Sequence, residues 1–441
     1  MTRLAPLLTL VALLASGCEF TLLPAPSGSG GSPTNADAGV AANPYQEVYD
    51  NGLLRYVDAP QVVATQINDQ ALFPNIKVHK FGAAGRGPLC MRGKEYFVET
   101  RETDSQDLMV FLEGGGVCLD EICAATAEPM LTLRGFTAGS YAVGIGGLLD
   151  PDSPNNPLAG WDVVHAPYCD GSIFAGDVDR ILSDGNALNG TQDQAYQRGL
   201  LNLTATFVTA SRTFPNPRRI ALVGSSGGSY GVLLGIAMAR HFYPTTPIVI
   251  VSDSGGPILS DADPDFIRRV LVEVGAIGLL PSRTCPDCIA NGHATGVVEW
   301  ALARDPNTRF AYMGHAGDHV IGEFFMGTTA DEFRTALVRE TGRLVDRFPG
   351  RAHRFIAPGS RHTLALDVTT LPDQLLKTVL GVFGPLAVTG DDVTSAELQK
   401  WVLGGMRETA TDASGTPVTG NDWLRTVLDD PAHAENVVQL Q

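Results

Sequence analysis

The stretch "RRIALVGSSGGSYGVLLG", residues 218–235, places two adjacent serines in a glycine-rich turn between an apolar run and a helix-like segment. Such a turn can hold a phosphate, form a plain tight corner, or present a nucleophile. A P-loop needs a lysine after its glycines, and a dinucleotide-binding turn needs a glycine where Ser226 stands, so neither nucleotide motif fits. Residues 224–228 fit GxSxG with Ser226 at the centre, whereas Ser225 would need a glycine in place of Val223. The spacing therefore predicts Ser226 as a nucleophile.

A nucleophilic serine needs a histidine as its base, and an acid must orient that histidine. In the chain order of the hydrolases the serine comes first, the acid second and the histidine last. His362 comes just past the apolar run "RFIAPG", in a loop, and is the predicted base. His315 and His319 flank the end of an earlier apolar run and compete with it. His353 begins its run, so it would lie at the wrong end of a strand.

Two aspartates are candidates for the acid that orients the base. Asp318 ends the run "FAYMGHAGD" and precedes His362 by one strand and one helix, which suits neighbouring strand ends. Asp253 ends the run "PIVIVSD", and a structural hydrogen bond to loop amides explains it equally well. The residues alone leave this choice open.

Acyl transfer also needs backbone amides that stabilise the negative charge on the attacked carbonyl oxygen. The run "FLEGGG" ends in three glycines, of which Gly115 and Gly116 are the predicted donors. Gly227, directly after the proposed nucleophile, supplies a further amide. Together these residues indicate hydrolysis of an acyl ester, with no metal and no organic cofactor.

The elements that must position these residues are apolar, β-branched runs separated by helix-like segments. The runs are continuous rather than alternating, as in strands buried on both faces of a parallel sheet. They predict an α/β-hydrolase-like fold with a mostly parallel central sheet, flanking helices and inserted loops. In such sheets functional residues lie at the carboxyl ends of the strands. The runs span residues 108–116, 161–169, 218–226, 246–256, 308–318 and 352–362, and the main helix-like segments span 194–211, 231–242 and 329–348.

The first residues indicate export. Residues 1–18 contain a short apolar run and end in "LASGC", which is similar to a bacterial lipobox with Cys18 as the lipid-bearing residue. Residues 19–43 are rich in Pro, Ser, Gly and Ala and predict a flexible tether. We expect a cell-envelope lipoprotein, or a secreted protein if Cys18 carries no lipid, with residues 44–441 as a single hydrolase domain.

The charge and the cysteines limit the partners. A net charge of −17 without a basic stripe argues against nucleic acid and against an acidic membrane surface, so any membrane contact would run through the lipid. Six cysteines besides Cys18 suggest three disulfides in an exported chain. The "CPDC" at residues 285–288 has a zinc-like spacing, but a second such pair is missing from the sequence.

Four stretches in this order resemble the family of the pectin acetylesterases and their animal relative Notum, a carboxylesterase that removes a fatty acyl group from a signalling protein. Upstream of them, "LCMRGKEYFV" (89–98) is similar to the cysteine-containing entry strand of the family. The resemblance spans about Cys90 to His362. The four stretches are "FLEGGGVC" (111–118), "YCDGSIFAGD" (168–177), "GSSGGSYGVLL" (224–234) and "SDSGG" (252–256).

The resemblance implies a Ser226–His362–Asp318 triad. It also implies three disulfides: Cys90–Cys169, Cys118–Cys123 and Cys285–Cys288. The sequence departs from the family at two positions. Gly227 stands where the family usually has alanine, and Val117 stands where a tryptophan often follows the glycine run, which would remove one aromatic wall from the acyl pocket.

These observations predict an exported, monomeric carboxylic ester hydrolase that removes acetyl or other short acyl groups. Pectin is a polyanion that a protein of charge −17 would repel, so a neutral acylated carbohydrate or a small ester fits better. Three alternatives are a deacylase for longer chains like Notum, a peptide hydrolase, and a surface-anchored binding protein without catalytic activity. The intact triad set argues against the last of these.

Overall fold

The centre of the structure is a ten-stranded sheet, counted over the residues that the computed structural model describes. The predicted signal segment 1–18 with Cys18, the tether up to residue 42, and Cys123 lie outside those residues, so their assignments stay predictions. Residues 43–441 form one compact unit. The described residues are 43–67, 75–82, 85–119, 131–133, 136–138, 146–182, 193–367 and 405–441.

The sheet is mostly parallel, as the continuous apolar runs predict. Its spatial order is β1-β2-β3-β7-β4-β10-β11-β12-β13-β16. In this order each pair of neighbours from β7 to β16 is parallel, whereas the pairs β1–β2, β2–β3 and β3–β7 are antiparallel. Three short hairpins pair β5 with β6, β8 with β9 and β14 with β15. In chain order the strands are β1 Val62–Ile67, β2 Ile76–Phe81, β3 Phe97–Arg101, β4 Asp107–Leu112, β5 Leu131–Leu133, β6 Phe136–Ala138, β7 Asp162–Ala166, β8 Val178–Leu182, β9 Asp193–Gln197, β10 Arg219–Ser225, β11 Ile248–Asp253, β12 Thr308–His315, β13 Ala352–Ala357, β14 Thr409–Thr411, β15 Pro417–Thr419 and β16 Val437–Val438.

Helices connect the parallel strands. A capping box at Thr329 begins α6, where the threonine side chain and Glu332 bond each other's backbone amides. None of the described helices is long and apolar enough to cross a membrane. The α-helices are α1 Gln46–Asp50, α2 Gly199–Thr213, α3 Gly227–Phe242, α4 Phe266–Glu273, α5 Thr295–Arg304, α6 Ala330–Arg347 and α7 Gly420–Asp429, and a π-helix spans Val320–Phe325.

Both faces of the central strands are buried. Alternate side chains such as Leu222 and Ile250 pack against α2, α3, α5 and α6. Their neighbours, such as Val223 and Val251, pack against α7 and the segments around Leu148 on the other face. Because neither face is in contact with water, the strands need no polar alternation, which explains the continuous apolar runs.

The predicted fold class is confirmed, since each of the six apolar runs overlaps one of the strands β4, β7, β10, β11, β12 and β13, with β4 beginning one residue before its run. The segment 194–211 differs from its prediction: it begins as β9 and becomes helical only at Gly199. The entry strand predicted at 89–98 is also shifted. Strand β3 begins at Phe97, and Cys90 lies in the turn before it.

Two of the disulfides implied by the family resemblance are present among the described residues. Cys90 and Cys169 are bonded with their Cα atoms 4.9 Å apart, and they tie the segment before β3 to the loop after β7. Cys285 and Cys288 are bonded across a single turn. Such bonds are typical of proteins in oxidising compartments.

Removing the disulfide between Cys90 and Cys169 should destabilise the fold more than removing the local one. The 79-residue separation closes a long loop and the 3-residue separation a short one. Loop-closure entropy predicts losses of roughly 4 and roughly 2 kcal/mol respectively in the free energy of unfolding. Urea unfolding of the Cys90→Ala/Cys169→Ala and Cys285→Ala/Cys288→Ala variants measures both. The reverse order of stabilities would contradict this account.

Candidate active site

Ser226 lies on a sharp turn between β10 and α3. Its φ of +53° and ψ of −120° are unusual for a residue with a side chain, and its amide donates to the Asp253 carbonyl at 2.9 Å. A side chain at Gly228 would overlap the Leu112 carbonyl of β4, so glycine at this place lets α3 pack onto the strand. Ser226 is 5% exposed and lies at the edge of a cleft. The turn has the geometry of a nucleophile elbow.

The glycine run after β4 lies beside this turn. A Cβ on Gly227 would stand 3.6 Å from the amide nitrogens of both Gly115 and Gly116, so the three residues meet at one place. The same Cβ would be only 2.9 Å from the Gly116 carbonyl. This close approach favours the glycine at position 227, where relatives were expected to have alanine.

The loop after β7 holds the glycine run in place. The Tyr168 hydroxyl donates to the Gly116 carbonyl at 2.9 Å and accepts from the Ile173 amide at 2.8 Å. The Cys118 amide donates to the Gly171 carbonyl at 2.8 Å. The motif "YCDGSIFAGD" therefore supports the backbone that would bind an oxyanion.

Asp318 and His362 are in direct contact. The Nδ1 atom of His362 lies 2.9 Å and 3.1 Å from the two carboxylate oxygens of Asp318, and both side chains are buried. The Oδ1 atom of Asp318 also accepts from the Ile321 amide at 3.0 Å. This arrangement fixes the imidazole so that Nε2 is the nitrogen available for proton transfer.

The contact between Ser226 and His362 is not formed in this structure. The Nε2 atom of His362 is buried and has no hydrogen-bond partner in the described part of the chain. Catalytic hydrogen bonds are often long before a substrate binds and tighten in the reacting complex. The structure thus pairs the candidate base with its acid and leaves the other ring nitrogen unpaired.

The competing residues occupy other environments. Asp253 bonds Ser225 and the amides of Leu364 and Ala365, none of which is an imidazole. His315 is buried, and that burial lowers its pKa to about 4, so it is neutral at ordinary pH. The Nδ1 atom of His319, directly before the π-helix, lies 2.8 Å from the Oε2 atom of Glu323 within that helix.

An apolar cleft begins at Ser226. The empty space between its walls is about 440 Å³, a figure that includes open solvent at the mouth of the cleft. The walls come from α3, α4, the π-helix and the loops after β4 and β7. The lining residues are Gly116, Val117, Ile173, Ser226, Gly227, Tyr230, Leu259, Phe266, Ile267, Val270, Ile321, Phe325 and Met326. Three aromatic residues therefore stand in the wall although Val117 replaces the expected tryptophan.

Sequence reasoning did not find these walls. Ile173 and Phe174 have φ values of +52° and +57°. Positive φ is rare for residues with a side chain, so it could not be predicted from these residue types. Phe266 and Ile267 belong to a short helix that did not stand out in the chain. Within the described residues, no group of three or more His, Cys, Asp or Glu side chains is arranged to hold a metal ion.

The sheet order, the serine turn after β10 and the Asp318–His362 pair are features of the α/β-hydrolase-like class of proteins. Within that class, residues 75–265 match the profile of the family described as Pectinacetylesterase. This region contains Ser226 and ends before Asp318 and His362, whose pairing rests on the geometry above. The resemblance to the pectin acetylesterases and Notum that the sequence predicts is therefore confirmed over these residues.

Similar proteins include two from Arabidopsis thaliana. Pectin acetylesterase 5 is 27% identical over 186 residues, 41% of this chain and 42% of the relative. Pectin acetylesterase 4 is 28% identical over 187 residues, 41% of this chain and 44% of the relative. Palmitoleoyl-protein carboxylesterase NOTUM of Schmidtea mediterranea is 28% identical over 146 residues, 32% of this chain and 26% of the relative. The chain thus spans less than half the length of these relatives.

Gly114→Ala should destabilise the protein by about 1–3 kcal/mol, the usual cost of adding atoms to a packed interior. The new Cβ would stand 2.5 Å from the Ser225 carbonyl oxygen and 2.6 Å from the Ser226 Cβ. Gly160→Ala is the matched control, because a Cβ there meets no atom within 4 Å. Urea unfolding compares the two variants. Equal stabilities would show that the glycine run does not pack against the serine turn.

Proposed function

We propose that this chain is a serine carboxylesterase in which Ser226 is the nucleophile, His362 the base and Asp318 the acid. The observation that supports this most is the buried Asp318–His362 pair at the sheet edge where Ser226 occupies its strained turn. The names of the similar proteins, pectin acetylesterases and a carboxylesterase, agree with an ester substrate.

In the proposed mechanism His362 Nε2 takes the proton of the Ser226 hydroxyl as its oxygen attacks the ester carbonyl. The negative charge on the carbonyl oxygen is stabilised by the amides of Gly115, Gly116 and Gly227. The tetrahedral intermediate collapses, and the proton on His362 passes to the departing alcohol. Water, deprotonated by His362, then hydrolyses the acyl-enzyme and frees Ser226.

For the acyl group we propose acetyl and other short chains on a neutral carbohydrate or small ester. The name of the relatives favours acetyl esters, and the charge of −17 disfavours a polyanionic substrate. We also propose that the protein is exported, which its disulfides support. Attachment through a lipid on Cys18 stays a prediction from the sequence.

A longer acyl chain is the second candidate, and the cleft beside Ser226 is the observation that favours it. Its walls are almost wholly apolar and include Phe266 and Val270 of α4. Ile267, Ile321 and Phe325 continue this apolar lining, which offers a longer acyl chain more apolar contact than an acetyl group can use. Each methylene moved from water into such a wall gains about 0.8 kcal/mol, so a longer chain would bind here more tightly.

Ser226→Ala should lower kcat/KM on p-nitrophenyl acetate by about 10³-fold or more, because it removes the hydroxyl that is proposed to form the acyl-enzyme. Ser225→Ala is the matched control and should stay within about tenfold of the original protein. A burst of p-nitrophenol in stopped flow would report the acyl-enzyme directly. Equal turnover by the original protein and Ser226→Ala would refute the serine mechanism. An original protein inert toward every ester tested would favour the binding-protein alternative.

A chain-length series tests the cleft. If the acyl group binds there, kcat/KM should rise by up to about fourfold per methylene from p-nitrophenyl acetate to the hexanoate. Val270→Trp should reduce hexanoate hydrolysis far more than acetate hydrolysis, because the indole would occupy the cleft. Val272→Trp is the control, since Val272 lies on the same helix and is 56% exposed. A preference for acetate that Val270→Trp leaves unchanged would restrict the enzyme to acetyl esters.

A further inference from the structure

Asp253 ends β11, between the strand that leads to Ser226 and the strand that leads to Asp318. Its side chain is fully buried. Each carboxylate oxygen accepts one backbone amide and one hydroxyl. Oδ1 accepts from the Leu364 amide at 2.7 Å and the Ser254 hydroxyl at 3.2 Å, and Oδ2 accepts from the Ala365 amide at 3.0 Å and the Ser225 hydroxyl at 2.8 Å.

The main chain of this residue makes a further contact on the serine side. The Asp253 carbonyl accepts from the Ser226 amide at 2.9 Å. On the histidine side, the next residue adds a bond, because the Thr363 amide donates to the Ser254 hydroxyl at 3.0 Å. One two-residue segment therefore contacts both the nucleophile turn and the three residues that follow His362.

The sheet makes such a contact necessary. His362 follows β13, whereas Ser226 follows β10, and these strands are three positions apart. At about 4.8 Å per strand the two strand ends lie about 14 Å from one another. The loop after β13 must return across β12 and β11 before its histidine can reach the serine. It is hydrogen-bonded at β11, one strand from the nucleophile.

The backbone around this contact is strained on both sides. Ser254 and Thr363 have φ values of +52° and +63°. The left-handed region is unfavourable for residues with a Cβ, and most of all for a β-branched residue such as threonine. Such geometry persists only where the surroundings determine it. The bond between the Thr363 amide and the Ser254 hydroxyl links these two strained residues directly.

We propose that Asp253 is a positioning residue that fixes the His362 loop relative to Ser226, and that it does so without serving as the triad acid. The inference deepens the proposed esterase function and rests on it. The carboxylate is suited to this work because both of its oxygens face a backbone amide. An asparagine offers only one acceptor oxygen, so its NH₂ group would face the Leu364 or the Ala365 amide.

A purely structural role is a weaker explanation of these contacts. Burial raises the pKa of Asp253 to about 6, and the hydrogen bonds from Leu364, Ser225 and Ala365 only partly offset that increase. A protein that needed only packing at this place could use an apolar residue without that cost. The carboxylate instead bonds residues next to both candidate catalytic groups.

The test compares steady-state kinetics of Asp253→Asn with those of Asp162→Asn on p-nitrophenyl acetate. Asp162 is the matched control. It is also a buried aspartate that accepts hydrogen bonds, in its case from Thr103, but it begins β7 and so lies at the edge of the sheet opposite to the candidate site. Asp253→Asn should lower kcat by about 100-fold through misplacement of His362 and leave KM within about threefold. Asp162→Asn should keep its kcat. The labelling rate of Ser226 by a fluorophosphonate should fall in parallel with kcat.

A second variant covers the case in which Asp253→Asn does not fold. Ser254→Gly removes the hydroxyl that accepts from the Thr363 amide and donates to Asp253 Oδ1, and glycine suits the positive φ at that position. It should lower kcat by about tenfold with KM unchanged, a smaller loss because the Asp253 bonds to Leu364, Ala365 and Ser225 remain.

The outcomes separate this proposal from the proposed function. If the original protein is no faster than Ser226→Ala, the esterase proposal fails first. If Ser226→Ala is inactive while Asp253→Asn and Ser254→Gly turn over like the original protein, only the positioning proposal fails. A loss in Asp253→Asn that exceeds the loss in Asp318→Asn would make Asp253 the acid and overturn the assignment of that role to Asp318.

Discussion

The backbone hydrogen bonds between adjacent parallel strands determine where every polar group of the candidate site begins. β4, β10, β11, β12 and β13 are neighbours, and at their carboxyl ends they present the glycine run, Ser226, Asp253, Asp318 and the His362 loop in that order. The strand spacing is fixed by hydrogen-bond geometry and cannot shrink to suit the chemistry. The loops must therefore bridge the remaining distance, and the hydrogen bonds that fold them back over the sheet are as necessary as the reacting groups.

Two carboxylates at or just beyond strand ends, those of Asp170 and Asp253, are buried away from water. Burial raises the pKa of Asp253 to about 6 and that of Asp170 to about 7. In the unfolded chain both would lose their protons near pH 4. The native state holds the protons longer, so the stability that these two groups contribute is greatest in acid and declines as the pH rises through about 7. The burial of these two carboxylates thus makes the fold less stable at neutral pH than in acid.

The sequence predicted those features of the fold and the candidate site that follow from a single local pattern. Continuous apolar runs identified the six buried parallel strands, and the glycine spacing selected Ser226. β1 was missed because most of its residues are half-buried or exposed, and β9 because "DQAYQ" lacks β-branched residues. The sequence placed Asp253 and Asp318 at strand ends alike, since the direction in which a carboxylate points depends on loops whose paths are set by tertiary contacts. The positive φ values at Ile173 and Thr363 also depend on tertiary contacts of the loops and could not be predicted from the sequence.

The Asp318 carboxylate contacts both the candidate base and the π-helix beside the cleft. Its two oxygens lie 2.9 Å and 3.1 Å from Nδ1 of His362, and the farther one, Oδ1, also accepts from the Ile321 amide in the first turn of the π-helix that forms a wall of the cleft. The candidate base and one wall of the cleft are therefore held by the same carboxylate. A lineage of such enzymes could reshape the wall contributed by α4 freely, whereas insertions or deletions in the segment after Asp318 would disturb the base together with the pocket. Divergence in acyl specificity should accordingly be concentrated on the α4 side of the cleft.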